Sequence, residues 1–187
     1  MMISVKLFTV LTGLICERSE KVNMTEVIER ELTQQYEKYY RFAFSVVRNR
    51  EDALDVVQEA AYRAIRSASQ LRQQEHADTW IHRIILNTAM DLLHRKKREC
   101  LQEDENLQSV VEPSIENGYE KTELYELLGM LEPEDRTILV LKYFEDRKLE
   151  EIAQITGINV NTVKTRLYRS LEKLKAACEG SRQKGGI

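Results

Sequence analysis

The residues from Asn161 to Arg169 read Asn-Thr-Val-Lys-Thr-Arg-Leu-Tyr-Arg. Asn161, Lys164, Thr165, Tyr168 and Arg169 are all hydrogen-bond donors. At helical spacing they share one side, while Val163, Leu167, Leu171 and Leu174 share the other. Amide, hydroxyl and guanidinium donors on one helical face suit base edges and phosphates, and the first turns of such a helix are the ones that enter a major groove. The helix N-terminus itself also favours a phosphate. From Asn161 onward Lys164, Arg166, Arg169, Lys173, Lys175, Arg182 and Lys184 are opposed only by Glu172 and Glu179. That local excess of positive charge favours a polyanion.

A second constellation is acidic. Asp52, Asp55 and Glu59 stand at i, i+3 and i+7 with Gln58 beside them, so a helix places them on one exposed face. Such a face is either simply solvated or a docking surface for a basic partner. A third lies on the segment that starts near Trp80. Arg83, Asn87, Met90 and Asp91 fall opposite the apolar stripe Trp80, Ile81, Ile84, Ile85, Thr88 and Leu92, and the segment ends in His94-Arg95-Lys96-Lys97-Arg98. A basic edge with amide side chains suits single-stranded nucleic acid.

Short helices must hold these groups. Around the donor face, Ala153 sits where two helices would cross closely, and Gly157 follows at a turn that needs a positive φ. Val163 then packs back from the second helix, which starts near Val160 and runs to about Cys178. Over so short a window this is a helix-turn-helix pattern; an ordinary antiparallel helix hairpin is the plainer alternative. Upstream, one apolar stripe runs from Thr25 to Val47, and Asn49 stands where an N-cap belongs for a helix reaching about Ser69. Ser67 to Thr79 reads as loop or short helix. Leu124, Leu127, Leu128 and Leu131 form another stripe. Pro133 fits the first turn of a helix with Ile138, Leu139, Leu141 and Tyr143 on its apolar side.

Between the helical sets, residues 99–120 carry Glu99, Glu103, Asp104, Glu105, Glu112, Glu116 and Glu120, with Pro113 and Gly118. Charge repulsion and sparse apolar residues predict an acidic flexible linker. The first segment, Met1 to Cys16, is apolar with Lys6 its only charge, yet too short for a bilayer-spanning helix. Met24 directly precedes the first strong helix pattern, and translation is expected to start there. Residues 1–23 are then an extension, and residues 179–187 are expected to be a disordered tail.

Composition narrows the class. The 187 residues include only 7 Gly and 2 Pro, which favours an all-α protein. Lys and Arg number 28 against 31 Asp and Glu, so the whole molecule is no polycation and any nucleic-acid site must come from local asymmetry. Cys16, Cys100 and Cys178 form no CxxC pair, which points to a reducing cytoplasmic compartment. His76, His82 and His94 lack metal-ligand spacing and read as solvated or half-buried imidazoles, so no metal or cofactor is expected. No phosphate-binding glycine loop, zinc-protease helix or nucleophile elbow is found, which weighs against an enzyme.

The segments also carry a resemblance. Asp52-Ala-Leu-Asp55-Val-Val-Gln58-Glu59 resembles the polymerase-binding segment of bacterial sigma-70 family factors. Thr79-Trp80-Ile-His-Arg83-Ile84 with Asn87 resembles the promoter-melting segment of their extracytoplasmic-function (ECF) group. Leu131-Glu-Pro133-Glu-Asp135-Arg136 and the run from Asn161 to Arg169 look like that group's region 4. The match covers nearly all of Met24 to Cys178 and is nearest to the sigma-V-like stress factors of Gram-positive bacteria. There are departures: Ala61 replaces a bulkier apolar residue, the loop before Trp80 lacks an aromatic, and Leu86 precedes Asn87.

The resemblance implies two small helical domains. A sigma-2 bundle (24–98) would dock on core RNA polymerase through Asp52, Asp55, Gln58 and Glu59. It would engage the single-stranded −10 element through Trp80, Arg83, Asn87, Arg95 and Lys96, with Asn87 the candidate for base capture. A sigma-4 helix-turn-helix (121–178) would meet the −35 duplex, with Lys164, Thr165, Tyr168 and Arg169 at reading positions and Asn161 and Thr162 placed for phosphate. The partners implied are core polymerase, promoter DNA and a membrane-bound anti-sigma factor, in an envelope stress response. The protein itself would catalyse nothing. Two other classes fit parts of the pattern: a helix-turn-helix regulator acting without polymerase, and a pure interaction protein.

Overall fold

A computed structural model describes residues 23–103 and 123–184 of the chain. Among the described residues all regular structure is helical. The Asn23 side chain accepts the Thr25 N–H at 3.1 Å and so caps α1 (Met24–Gln34), whose buried face is Val27 and Ile28. The single stripe from Thr25 to Val47 predicts one helix, but the backbone breaks at Gln35 (φ −109°) and resumes as α2 (Tyr36–Val47). The break is slight, since Gln35 N–H still reaches Glu31 O at 2.9 Å and Tyr39 N–H reaches Gln35 O at 3.1 Å. It turns α1 onto the next helix and the turn after it, while α2 continues into the molecular interior. Packing of a buried face here overrides local helix continuity.

Arg48 ends α2 in a left-handed conformation, φ 58°. Asn49 then caps α3 (Arg50–Arg66), its side chain accepting the Asp52 N–H at 3.0 Å. The face α3 buries is made of Ala53, Val56, Val57, Ala60 and Ala64. These small residues let α2 and α4 (Ala77–Glu103) approach closely. Ile65, which apolar spacing along the helix predicts on this same side, is instead 39% exposed. The segment between α3 and α4 folds as two 3-10 turns, Ala68–Gln70 and Gln74–His76, pinned by buried Leu71. Helix α4 begins three residues before Trp80, at Ala77, and runs past the expected boundary at Arg98 to Glu103. An Arg95–Glu99 pair one turn apart, at 4.0 Å, spans that boundary.

The C-terminal set comprises α5 (Glu123–Gly129), α6 (Pro133–Tyr143), α7 (Leu149–Thr156) and α8 (Val160–Lys184). Pro133 occupies the first turn of α6. Every residue from Asp135 to Leu141 is buried, because α6 is enclosed by α2, α7 and α8. Tyr143, expected in the apolar stripe, lies at the helix end and is exposed. The Glu151 side chain accepts the Lys148 N–H at 2.9 Å at the start of α7. Gly157 closes α7 at φ 73°, with its N–H on Ala153 O at 2.9 Å. Helix α8 continues beyond Cys178 to Lys184, into the stretch expected to be disordered.

The two helical sets share one core. Helix α6 packs on α2, and α7 packs on α4. Residues 1–22, the expected extension with Cys16, lie outside the described residues, as do residues 104–120 of the acidic linker.

Candidate nucleic-acid interface and docking face

Helix α8 is held by its apolar side. Val163 is fully buried, and Leu167 and Ser170 beside it are buried too. Asn159 caps the helix: its Oδ1 accepts the Thr162 N–H at 2.8 Å and the Thr162 hydroxyl at 3.0 Å. On the far side Asn161, Lys164, Thr165, Tyr168 and Arg169 are all exposed. Tyr168 is an exposed aromatic with no core to serve. The Thr165 hydroxyl donates to Asn161 O at 2.9 Å, within the helix. Thr162 is therefore a capping partner first, and its backbone N–H and hydroxyl are both committed to Asn159.

The acidic face is less uniform than its spacing predicts. Asp55, Gln58 and Glu59 are exposed on α3. Asp52 is half-buried, and Lys96 donates to both its oxygens at 2.6 and 2.7 Å. Glu59 accepts from Arg63 at 2.7 Å, and Arg63 also reaches Asp91 at 3.1 Å. Beyond Glu59 the same stripe continues into exposed Tyr62, which the sequence did not single out, and Ile65, which it placed on the core side. Their spacing from Asp55 and Gln58 was the available signal. A groove of about 1200 Å³ separates this face from the basic end of α4, lined by Asp55, Glu59, Arg63, Asp91, Arg95 and Arg98.

On α4, Trp80 is half-buried against the core, and Arg83 and Asn87 are exposed one turn apart. The structure brings these three onto neighbouring turns of one helix. Arg95 and Lys96 lie further along, near the acidic face, and Lys96 is already engaged by Asp52.

Where the helical sets meet lies a charge cluster that the sequence did not announce. His82 is fully buried, with the Tyr39 ring edge-on at 5.1 Å and the Phe42 ring at 5.0 Å. Its Nδ1 donates to Asp78 O at 2.8 Å and lies 3.3 Å from the Asp78 carboxylate, while Nε2 faces Glu145 at 3.6 Å. Asp78 also accepts from Lys38 at 2.8 Å, from the Tyr39 hydroxyl at 3.1 Å and from Arg147. Burial alone would discharge His82, but its contacts with Asp78 and Glu145 outweigh that and raise its pKa. Burial pushes the Asp78 and Glu145 carboxyls up, yet the surrounding cations hold both below the usual range. Burial and Asp78 raise the Tyr39 phenol. Arg136 of α6 donates to Val46 O at the end of α2, at 2.8 Å. Its pKa is lowered to about 10 by burial and by the charge of Arg48. The reverse hook is Arg48, which donates to Tyr125 O at 3.4 Å and lies against Gly129, where any side chain would displace it.

Among the described residues no group of His, Cys, Asp and Glu could hold a metal ion, and no helix is long and apolar enough to cross a membrane. Cys100 and Cys178 are free and exposed.

The comparisons with known proteins agree on one family. Residues 32–99 match sigma-70 region 2, and residues 121–174 match sigma-70 region 4. The RNA polymerase sigma factor SigV of Bacillus subtilis (strain 168) is 42% identical over 144 residues, covering 77% of this chain and 86% of that protein. The ECF RNA polymerase sigma factor SigE of Mycolicibacterium smegmatis is 33% identical over 153 residues, covering 78% of this chain and 59% of that protein. Among solved structures, the sigma factor RpoE of Bartonella quintana, in complex with the anti-sigma factor NepR, shares the fold. It matches with a TM-score of 0.68 at 20% identity, over 81% of this chain and 96% of that one. Two region matches in order, together with a relative of this identity and coverage, place the chain in the ECF group of the sigma-70 family of RNA polymerase sigma factors.

Proposed function

We propose that the chain works as a specificity subunit built from two parts, the first making two contacts and the second one. The N-terminal part, residues 24–98, docks on core RNA polymerase through Asp55, Gln58 and Glu59, extended by Tyr62 and Ile65. It takes the single-stranded −10 element along α4, with Trp80 as a platform, Asn87 as the base-capturing amide and Arg83 and Arg95 as basic partners. The C-terminal part, residues 121–178, presents α8 to the −35 duplex: Lys164, Thr165, Tyr168 and Arg169 toward base edges, Asn161 and the helix N-terminus toward phosphate. Asp52 and Lys96 neutralise one another, so each contributes to its partner surface only when that pair separates. The work is carried out in the cytoplasm, and bond chemistry is left to the polymerase. An anti-sigma factor holds the chain in reserve until an envelope stress signal arrives; the solved RpoE that shares this fold is in complex with the anti-sigma factor NepR.

The observation that carries this reading is the exposure of the α8 donor face, clamped from behind by a fully buried Val163, in a chain that matches both sigma-70 regions. Titration of labelled chain with sigma-free core polymerase tests it. Saturable 1:1 binding is expected, with sequence-specific promoter affinity appearing only in the complex. Tight specific DNA binding by the free chain, with no affinity for core, would favour a polymerase-independent regulator.

A further inference from the structure

Asp135 is a carboxylate placed where a core residue is expected. It lies in the first turn of α6, and its side chain is 3% exposed. Its Oδ2 is 3.4 Å from Arg169 Nη2, and its Oδ1 lies 3.6 Å from Arg166 Nη1 and accepts no hydrogen bond. Burying a carboxylate is unfavourable unless charge and hydrogen bonds compensate it. The positive end of α6 offsets part of that penalty. The rest comes from two guanidiniums three residues apart on α8.

Both arginines divide themselves between this carboxylate and solvent. The Arg169 side chain is 63% exposed and that of Arg166 is 39% exposed. An arginine fork has five N–H donors, so one tethered Nη leaves donors free on the solvent side. A free arginine side chain loses rotamer entropy when a ligand fixes it. One already held at its head loses less and meets the ligand in one orientation. Among base edges, the guanine O6/N7 pair in the major groove matches such a fork bidentately. Asp135 itself is covered by the protein, so its charge is withdrawn from the surface that α8 presents.

We propose that Asp135 is a positioning residue for −35 reading: from α6 it holds Arg169, braced by Arg166 one turn earlier, so that the free donors of Arg169 meet a guanine edge in a fixed orientation. The proposal rests on the assignment of α8 to the −35 duplex and adds a residue outside that helix.

The test uses reconstituted holoenzyme. Its preferred −35 sequence is selected from a library randomised at that element. Binding is then measured to that duplex and to duplexes with each G·C pair changed in turn. For the native chain one pair is expected to depend on Arg169, so that Arg169→Ala abolishes discrimination there. Asp135→Asn should lower discrimination at that same pair by about tenfold, within the range a bidentate contact supplies. Asp135→Glu, which keeps the charge, should retain most of it. Asp135→Asn added to Arg169→Ala should change nothing further, since the positioned group is gone. Three results overturn the proposal. Unchanged discrimination in Asp135→Asn, with loss in Arg169→Ala, would make Asp135 a core residue only and leave the −35 assignment intact. An equal drop at every pair would mean that α8 has shifted as a body. Intact discrimination in Arg169→Ala would remove the base-reading role of Arg169, and the proposal with it.

Discussion

Single side chains in this molecule divide into those already satisfied and those left open. Lys96 satisfies Asp52 from within the chain, whereas Asp55, directly before the buried pair Val56 and Val57, is exposed on the outer face of α3. Asp55→Lys should therefore weaken core binding by at least about tenfold, a change of about 1.4 kcal/mol in affinity, while the circular dichroism of the free chain stays native. Unchanged affinity in the same titration would place the docking face elsewhere. The open groups were legible from spacing, because helical periodicity assigns a face to each residue. The satisfied ones were not. Nothing local links Asp52 to Lys96, 44 positions away, or Asp135 to Arg169, 34 positions away; only tertiary packing joins them. Ile65 was placed with the core, and Tyr62 was not singled out, because an apolar residue on a helix reads as core unless the burial of its neighbours is known.

At the scale of elements, caps and turns carried most of the legible information. Asn49 and Gly157 were both identifiable by type and position, and both make the expected geometry. Asn49→Ala should destabilise the protein by about 1 kcal/mol, the typical worth of an N-cap, in urea unfolding followed by circular dichroism. No loss would mean that the Asp52 N–H finds another partner. Gly157→Ala isolates a backbone effect, since an added Cβ would meet nothing within 4 Å. The expected loss of about 1–2 kcal/mol comes from the left-handed conformation alone. Element boundaries were less legible. The stripe through α1 and α2 gives no hint of the break at Gln35, because both halves keep the same apolar side. Helix α4 begins early and ends late because Ala77 is buried and the basic run ending at Arg98 pairs with Glu99.

For the molecule as a whole, the meeting of the two helical sets around His82 was the feature furthest from sequence reach. His82 reads as an unremarkable imidazole until Glu145 and Arg147 arrive from the other set. Its protonation supplies a pH dependence with a definite sign. The pKa of His82 is raised above 6.5, so its contribution is complete below that value and is lost as pH rises through the elevated folded pKa. Asp78 and Glu145 are lowered from 3.8 and 4.5, so theirs is complete above those values and is lost as pH falls through the depressed folded ones. Melting temperature should therefore be highest between these limits and decline on the alkaline side. His82→Gln should flatten that alkaline decline. A decline of unchanged slope in the variant would show that the dependence arises elsewhere.

The most direct measurement is run-off transcription with purified sigma-free core polymerase on a template bearing the selected promoter. With the chain present, transcripts from one start site are predicted, and Asp55→Lys should suppress them. Without the chain, only non-specific transcription is expected. An identical pattern of transcripts with and without the chain would contradict the account.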